Sequence, residues 1–243
     1  MESETVRTIH LRREPHRAEY GALINKAMKL YEDPTRYPVQ DLIDLFALQR
    51  EMMDCQDDAQ RKVLMASFSE KTDSIPLIPD APERIYLWQK DNIPTETEYT
   101  ENPGYIFDHD PGYEPYMLEM LVDESVDPIG AVVTIAGGSH GAGTINECYQ
   151  IGKEFNALGY QAFILQCRPN GCPWSKLETA TDAARALQII RSNPARYRVD
   201  PNKIALAGFS NGGVTCDFCI MYYSAGQKVT DYFPDYRPDE LDA

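Results

Sequence analysis

Apolar positions in the first third of the chain recur every three or four residues, a spacing that predicts amphipathic helices. Pro34 and Pro38 separate two of these helices, and Asp41 is placed to cap the second. A third helix is expected from about Asp57 to Ser69. The spacing is carried by Leu23, Ala27, Leu30 and Tyr31, then by Leu42, Leu45, Phe46 and Met53. We therefore predict a helical extension over residues 1–72.

The pattern changes in residues 73–128, which hold 8 of the 17 prolines together with many acidic and tyrosine residues. Two short strands fit here, near Ile85–Gln89 and Tyr116–Val122. A central strand has a neighbour on each side, so every N–H group in it donates to one of the two, and proline has no N–H. We therefore expect long turns and edge strands in this stretch.

Residues 129–225 alternate between strand and helix patterns. Three runs are apolar on both faces, as buried parallel strands are: Ala131–Ala136, Gln161–Gln166 and Lys203–Ala207. The stretches between them are long enough for helical crossovers. One face of the first helix would carry Ile145, Cys148, Tyr149, Gly152 and Phe155, and one face of the second would carry Leu177, Ala180, Ala184, Leu187 and Ile190. The predicted fold class is α/β with a parallel sheet core, over a second domain of residues 73–243.

Composition narrows the function classes. The 243 residues carry a net charge of −15, which argues against nucleic acid and anionic membranes, because both bind clustered Lys and Arg. No apolar run approaches a membrane span, and the polar start lacks the apolar core of a secretory signal. We expect a cytoplasmic protein with reduced thiols.

The cysteines raise the question of a metal site. They are Cys55, Cys148, Cys167, Cys172, Cys216 and Cys219. Cys216 and Cys219 form a C-x-x-C pair that zinc could use together with Cys167 and Cys172. The pair falls in a predicted helix, however, where this spacing puts both thiols on one packing face. Buried thiols are the favoured interpretation, with no metal and no cofactor.

Candidate chemistry begins at Gly208-Phe209-Ser210-Asn211-Gly212, a G-x-S-x-G sequence between a predicted strand and a predicted helix. This context is the one that a nucleophile elbow requires. The glycines would let strand and helix approach closely, and the sharp turn would push the Ser210 hydroxyl into the crevice above the sheet. The alternative is a Gly-rich turn with an incidental serine.

A second Gly-rich sequence, Gly137-Gly138-Ser139-His140-Gly141, follows the first parallel strand. Acyl transfer needs two backbone N–H groups aimed at the oxyanion. Our candidates are the N–H of Asn211 and one from Gly138 or Ser139. A phosphate-binding loop is the rival interpretation, although the sequence matches neither the dinucleotide fingerprint nor Walker A.

Residues 125–225 resemble the α/β-hydrolase family of small carboxylesterases, in the branch with feruloyl and acetylxylan esterase-like members. The matching pieces are V-V-T-I-A-G-G-S-H, N-A-L-G-Y-Q-A-F-I-L-Q and V-D-P-N-K-I-A-L-A-G-F-S-N-G-G, with I-Y-L-W at 85–88 resembling the first strand. The resemblance implies hydrolysis of a small-molecule ester through an acyl-enzyme at Ser210, without a cofactor. The sequence departs from the family at Asn211, where alanine is frequent, and at Ser139, where a third glycine is common.

The most serious departure concerns the triad, whose order in this fold is Ser, then Asp or Glu, then His. No histidine follows Ser210, because the four histidines are His10, His16, His109 and His140. Asp217, Asp231 and Asp235 come too early to be the acid. We expect a C-terminally incomplete hydrolase domain that is inactive alone, with an unpaired sheet edge open to self-association or a partner.

His140 could stand in as the base, but a loop histidine without a catalytic role is the favoured interpretation. His109, within Asp108-His109-Asp110, could bind a metal but fits a solvated turn better. Two other functions stay open: a non-catalytic α/β-hydrolase-like binding module, and an acyl- or aminopeptidase of similar architecture.

Overall fold

The computed structural model describes residues 21–24, 26–97, 113–137, 144–168 and 174–242. The strands are β1 (Ile85–Tyr86), β2 (Tyr116–Met120), β3 (Gly130–Ile135), β4 (Tyr160–Gln166) and β5 (Ile204–Gly208). The helices are α1 (21–24 and 26–31), α2 (Val39–Asp54), α3 (Asp58–Ser74), α4 (Gln150–Ala157), α5 (Lys176–Ser192), α6 (Pro194–Tyr197), α7 (Asn211–Tyr223) and α8 (Val229–Tyr232). A π-helix (Thr144–Tyr149) precedes α4, and a 3₁₀ turn spans Glu240–Asp242.

The described strands form a single sheet in the order β1-β2-β4-β3-β5. Strand β3 lies parallel to both β4 and β5, and Val133 pairs with Phe163 on one side and Leu206 on the other. Strand β2 runs antiparallel to β1 and β4. The predicted α/β class with a parallel core is confirmed, and the three predicted parallel strands are correct to within one residue at each end.

Helices cover both faces of this sheet. On one face, alternate strand residues such as Val133 and Phe163 pack with apolar side chains of α5 and α7. On the other face, Leu118 and Ile164 pack with Cys148 of the π-helix. Burial on both faces explains why the central strands are almost uniformly apolar.

The N-terminal helices α1, α2 and α3 enclose a separate apolar core. Its fully buried members are Ile24, Ala27, Met28, Tyr31, Leu42, Leu45, Met52 and Phe68. Asp57 caps α3 by accepting a hydrogen bond from the Gln60 N–H at 2.7 Å. The prediction that Asp41 caps α2 is wrong. The helix begins at Val39, because the Pro38 carbonyl already accepts a hydrogen bond from the Asp41 N–H at 3.0 Å, so Asp41 lies within the first turn.

Two strand predictions also need correction. Strand β1 covers only Ile85–Tyr86, and β2 is an interior strand with neighbours on both sides, not an edge strand. Pro115 lies just before β2, so its missing N–H removes no bond from the ladder, and its carbonyl accepts from the Leu87 N–H at 3.0 Å.

The predicted first crossover helix is not regular. Its first six residues form the π-helix, and only Gln150–Ala157 is α-helical. Cys148 is fully buried, and the half-buried Tyr149 packs against the same apolar cluster, as the predicted face requires. The π-helix also carries Glu147, whose carboxylate is hydrogen bonded to the backbone of Gly137.

The acidic C-terminal segment packs against α5 and the loop after β1. The Tyr236 and Trp88 rings meet edge to face, with centroids 5.4 Å apart. Arg185 of α5 donates to the Leu87 carbonyl at 3.0 Å and lies 3.6 Å from the Asp242 carboxylate. These contacts join the end of the described chain to the first strand of the sheet.

Candidate active site

Ser210 occupies the sharp turn between β5, which ends at Gly208, and α7, which begins at Asn211. Its backbone has φ 50° and ψ −112°, and the residue is exposed. Positive φ is unfavourable for a residue with a Cβ atom, and such strain persists only where the surroundings enforce it. The strand–turn–helix setting predicted from the sequence is therefore present, with its strain on the candidate nucleophile.

Backbone hydrogen bonds hold this turn against the end of β3. The Phe209 N–H donates to the Ile135 carbonyl at 3.1 Å, and the Gly212 N–H donates back to Phe209 at 2.8 Å. The Val214 N–H then donates to the Ser210 carbonyl at 3.2 Å and starts α7. These three bonds are the local reason that Ser210 keeps its strained conformation.

Close approach of backbones makes the two motif glycines necessary. A Cβ atom on Gly208 would lie 2.1 Å from the Gly212 oxygen, and one on Gly212 would lie 2.2 Å from the Ile135 oxygen. Both distances are far inside van der Waals contact, so any side chain would push the helix off the strand. The predicted close packing of strand and helix is confirmed.

Asn211 is the first residue of α7 and is half-buried. The first N–H groups of a helix have no intrahelical acceptor and lie at the positive end of the helix dipole. A developing negative charge beside Ser210 would therefore meet a favourable field and an available donor. The role of Asn211 in an oxyanion hole stays a prediction.

The start of the second Gly-rich sequence lies directly against the elbow. Gly137 is buried, and a Cβ atom placed on it would be 2.9 Å from both the Phe209 oxygen and the Ser210 Cβ. Its N–H donates to Glu147 Oε2 at 2.7 Å. The predicted donors Gly138 and Ser139, and the neighbouring His140, lie outside the described residues.

Sequence reasoning missed Glu147. It stands within a helical pattern, where a half-buried carboxylate has no distinctive signal, and no motif rule points from Gly137 to a residue ten positions later. Only the fold brings the two together.

A buried ion pair lies at the carboxyl end of β4. Asp182 Oδ2 accepts from the backbone N–H and the Nε of Arg168, both at 2.9 Å. Asp182 Oδ1 accepts from Arg168 Nη2 and from the indole N–H of Trp88, each at 2.8 Å. Both charged side chains are almost fully buried, which is tolerable because every strong donor and acceptor is paired.

Glu178, one turn earlier on α5, fixes a neighbouring loop. Its carboxylate accepts from the Thr97 hydroxyl at 2.7 Å and from the Ser175 N–H at 2.7 Å, and it also bonds the Thr95 hydroxyl. Burial alone would raise the pKa of Glu178, but these hydrogen bonds and the charge of Arg168 outweigh it and hold the pKa below its usual value. Residues 95–97 are thereby tied to α5.

The other predicted triad elements have no described counterpart. All four histidines, His10, His16, His109 and His140, lie outside the described residues. Asp217 on α7 and Asp235 are exposed, and Asp231 accepts from the Lys228 N–H at 2.8 Å. Among the described residues, the geometry therefore sets out the candidate nucleophile Ser210 and leaves the base and its acid unassigned.

The cysteine pair lies on α7, as predicted. Cys219 is buried, and burial raises the pKa of its thiol to about 12. Across the described ranges, no group of three or more His, Cys, Asp or Glu residues is arranged to hold a metal ion. Within the same ranges no helix combines the length and apolar character that crossing a bilayer requires.

The chain is similar to parts of several known proteins. No family model matches the chain. The chain is 28% identical over 201 residues to endo-1,4-beta-xylanase B of Butyrivibrio fibrisolvens, a match that covers 75% of this chain and 30% of the xylanase. It thus spans about a third of that relative's length.

Two solved structures are similar to parts of the chain. One is an acetyl ester-xyloside bifunctional hydrolase from Caldicellulosiruptor lactoaceticus, with 26% identity and a TM-score of 0.42, covering 56% of this chain and 45% of that one. The other is the butyrate-bound esterase Est2 of Thermogutta terrifontis, with 24% identity and a TM-score of 0.36, covering 43% and 39%. The names of these two proteins agree with the resemblance to esterases that the motifs indicated. The superpositions cover about half of the chain, so the functional assignment rests on the residues of the site.

Proposed function

We propose that Ser210 is the nucleophile of a serine hydrolase that cleaves carboxylic esters through an acyl-enzyme. The observation that carries the proposal is the strained backbone of Ser210, with φ 50°, at a turn that leaves the residue exposed between strand and helix. Such strain is costly and is typical of functional sites. Three backbone hydrogen bonds and two glycines without room for a side chain maintain it.

In this mechanism the Ser210 hydroxyl attacks the ester carbonyl while a base takes its proton. The N–H of Asn211 and one N–H from Gly138 or Ser139 hold the oxyanion, and water later releases the acyl group. No cofactor is required. The base is a histidine in this type of site, and residues 211–243 contain none. The proposal therefore places the base outside that segment.

The substrate class we propose is a small-molecule ester, with acetylated xylose-containing sugars as the first candidates. The names of the similar proteins support this choice, since one is a xylanase and another acts on acetyl esters and xylosides. A peptidase of similar architecture would cleave peptide amides instead. A panel of 4-nitrophenyl acetate, acetylated xylo-oligosaccharides and aminoacyl anilides distinguishes the two.

Labelling with a fluorophosphonate tests the nucleophile directly. We expect the adduct on the peptide that contains Ser210, found by mass spectrometry of the whole gene product. Ser210→Ala should abolish the adduct and lower ester turnover on the order of a thousandfold or more. Ser224→Ala is the matched control, because Ser224 is an exposed serine at the other end of α7. Labelling that persists in Ser210→Ala would refute the proposal, and a chain that neither labels nor hydrolyses any ester would favour a non-catalytic binding module.

A further inference from the structure

Glu147 reaches the candidate active site without belonging to any predicted motif. Its Oε2 atom accepts the Gly137 N–H at 2.7 Å, and Gly137 in turn packs against Ser210. We propose that Glu147 is a positioning residue that fixes Gly137 against the turn of the nucleophile Ser210. The proposal rests on the proposed function of Ser210 and adds a residue to its machinery.

The contact between Gly137 and the elbow leaves no room for adjustment. A Cβ atom on Gly137 would stand 2.9 Å from the Phe209 oxygen and from the Ser210 Cβ, and 3.4 Å from the Glu147 carboxylate. The same small space is therefore bounded by the nucleophile on one side and by the carboxylate on the other. Gly137 is therefore held between the carboxylate of Glu147 and the turn that carries Ser210.

The π-helix explains how Glu147 gets there. The six-residue segment Thr144–Tyr149 has wider turns than the α-helix that follows it. Insertions of this kind are rare and occur frequently at functional sites. Cys148, the next residue, is fully buried against Leu118 and Ile164 of the sheet, and this anchors the segment. With Cys148 held inward, the preceding carboxylate is presented to the end of β3.

The role of Glu147 is geometric. A bond from an N–H to a carboxylate is short and about twice as strong as a neutral one. A negative charge near a developing oxyanion would by itself oppose the reaction, so the benefit must come from holding Gly137. Misplacing a catalytic group by 1 Å can cost about 100-fold in rate.

Two substitutions at this position separate geometry from charge. Glu147→Ala removes the acceptor and should lower kcat about 100-fold, with little change in KM, because Gly137 loses its fixed position beside Ser210. Glu147→Gln keeps an oxygen that can accept the Gly137 N–H and should restore most of the turnover. Glu154→Ala, which removes an exposed carboxylate from α4 a few residues later, is the matched control and should behave as wild type.

Kinetics on 4-nitrophenyl acetate with the whole gene product, thermal melting and the amide NMR signal of Gly137 form the test. The amide proton should lie downfield in wild type and Glu147→Gln and shift upfield in Glu147→Ala. Wild-type kcat in Glu147→Ala would overturn the proposal. The proposal would also be overturned if Glu147→Ala and Glu147→Gln lost kcat to the same extent and melting temperature to the same extent. That result would show that the carboxylate has a structural role only. Ser210→Ala is run in parallel: if that variant stays active, the proposed function itself fails, whereas an inactive Ser210→Ala beside an unimpaired Glu147→Ala removes only the positioning role.

Discussion

The Tyr116 hydroxyl donates a hydrogen bond to Asp33 Oδ1 at 2.9 Å, with both residues almost fully buried. Asp33 follows helix α1 and Tyr116 opens β2, so this bond joins the N-terminal helices to the sheet. Arg84 completes the junction, because its Nε donates to Asp33 Oδ2 at 3.1 Å and its guanidinium lies 4.2 Å from the Tyr116 ring centre. Tyr116 pairs with Gln166 at the carboxyl end of β4. The helices therefore dock at the carboxyl ends of the parallel strands, which is the end of the sheet that also carries Ser210.

Removing the Tyr116 hydroxyl should loosen this junction. We expect Tyr116→Phe to lower the free energy of unfolding by about 1.5–3 kcal/mol, since it takes a donor away from a buried carboxylate. Urea unfolding measures the change. Tyr86→Phe is the control, because Tyr86 is a neighbouring tyrosine that is half exposed. Equal stability of Tyr116→Phe and wild type would show that the hydrogen bond does not hold the helices in place.

Neighbouring glycines in the elbow should respond in opposite ways to the same methyl group. A Cβ atom on Gly212 would lie 2.2 Å from the Ile135 oxygen, whereas one on Gly213 would meet nothing closer than 3.4 Å. Gly212→Ala should therefore displace α7 and abolish labelling of Ser210 by a fluorophosphonate. Gly213→Ala should fold and label like wild type. Circular dichroism checks folding in both, and normal labelling of Gly212→Ala would mean that the elbow is not rigid.

The sequence predicted those parts of the fold and site that local pattern determines. Strands β3 and β4 are buried on both faces, so their apolar runs are unmistakable. Strand β5 carries a similar apolar run but is only partly buried, because it lies at the edge of the described sheet. Ser210 is identifiable as a candidate because its G-x-S-x-G motif directly follows such a run and precedes a helical pattern, which is the context that a nucleophile elbow requires. The interior position of β2 was not predictable in this way, because neighbouring prolines indicate an edge strand unless it is known that they lie just outside the ladder.

Charged residues in the core were the larger omission. Helix α5 was expected to bury one apolar face, yet Glu178, Asp182 and Arg185 are among its most buried residues. Hydropathy places such side chains in water, and only a partner from another element reverses that preference. Arg168, which supplies the countercharge to Asp182, comes from the end of β4, and no periodicity connects the two. In the same way, no periodicity connects Glu147 with Gly137, and only the fold brings them together.

Native thiols should differ strongly in reactivity. Cys148 and Cys219 are buried, and burial raises the pKa of each to about 12, so almost no thiolate is present at neutral pH. Cys55, in contrast, is half-buried at the end of α2. With iodoacetamide at pH 8 we expect Cys55 to react before Cys148 and Cys219, which should react only after unfolding. Peptide mass spectrometry measures the order, and urea-unfolded protein, in which all three should react alike, is the control.

The buried carboxylate of Glu178 should make stability depend on pH. Hydrogen bonds and Arg168 hold its pKa below the usual value in the folded protein. Its contribution is therefore present above the unfolded pKa of about 4.3 and is lost as the pH falls through the lower folded value. Glu178→Gln should be clearly less stable than wild type at pH 7, and the difference should shrink below about pH 4. Urea unfolding at pH 7 and pH 3.5 measures both differences. Glu96→Gln is the control, because Glu96 is an exposed neighbour that donates its N–H to Glu178. If the difference in free energy of unfolding between Glu178→Gln and wild type were the same at both pH values, ionisation of Glu178 would not contribute to stability.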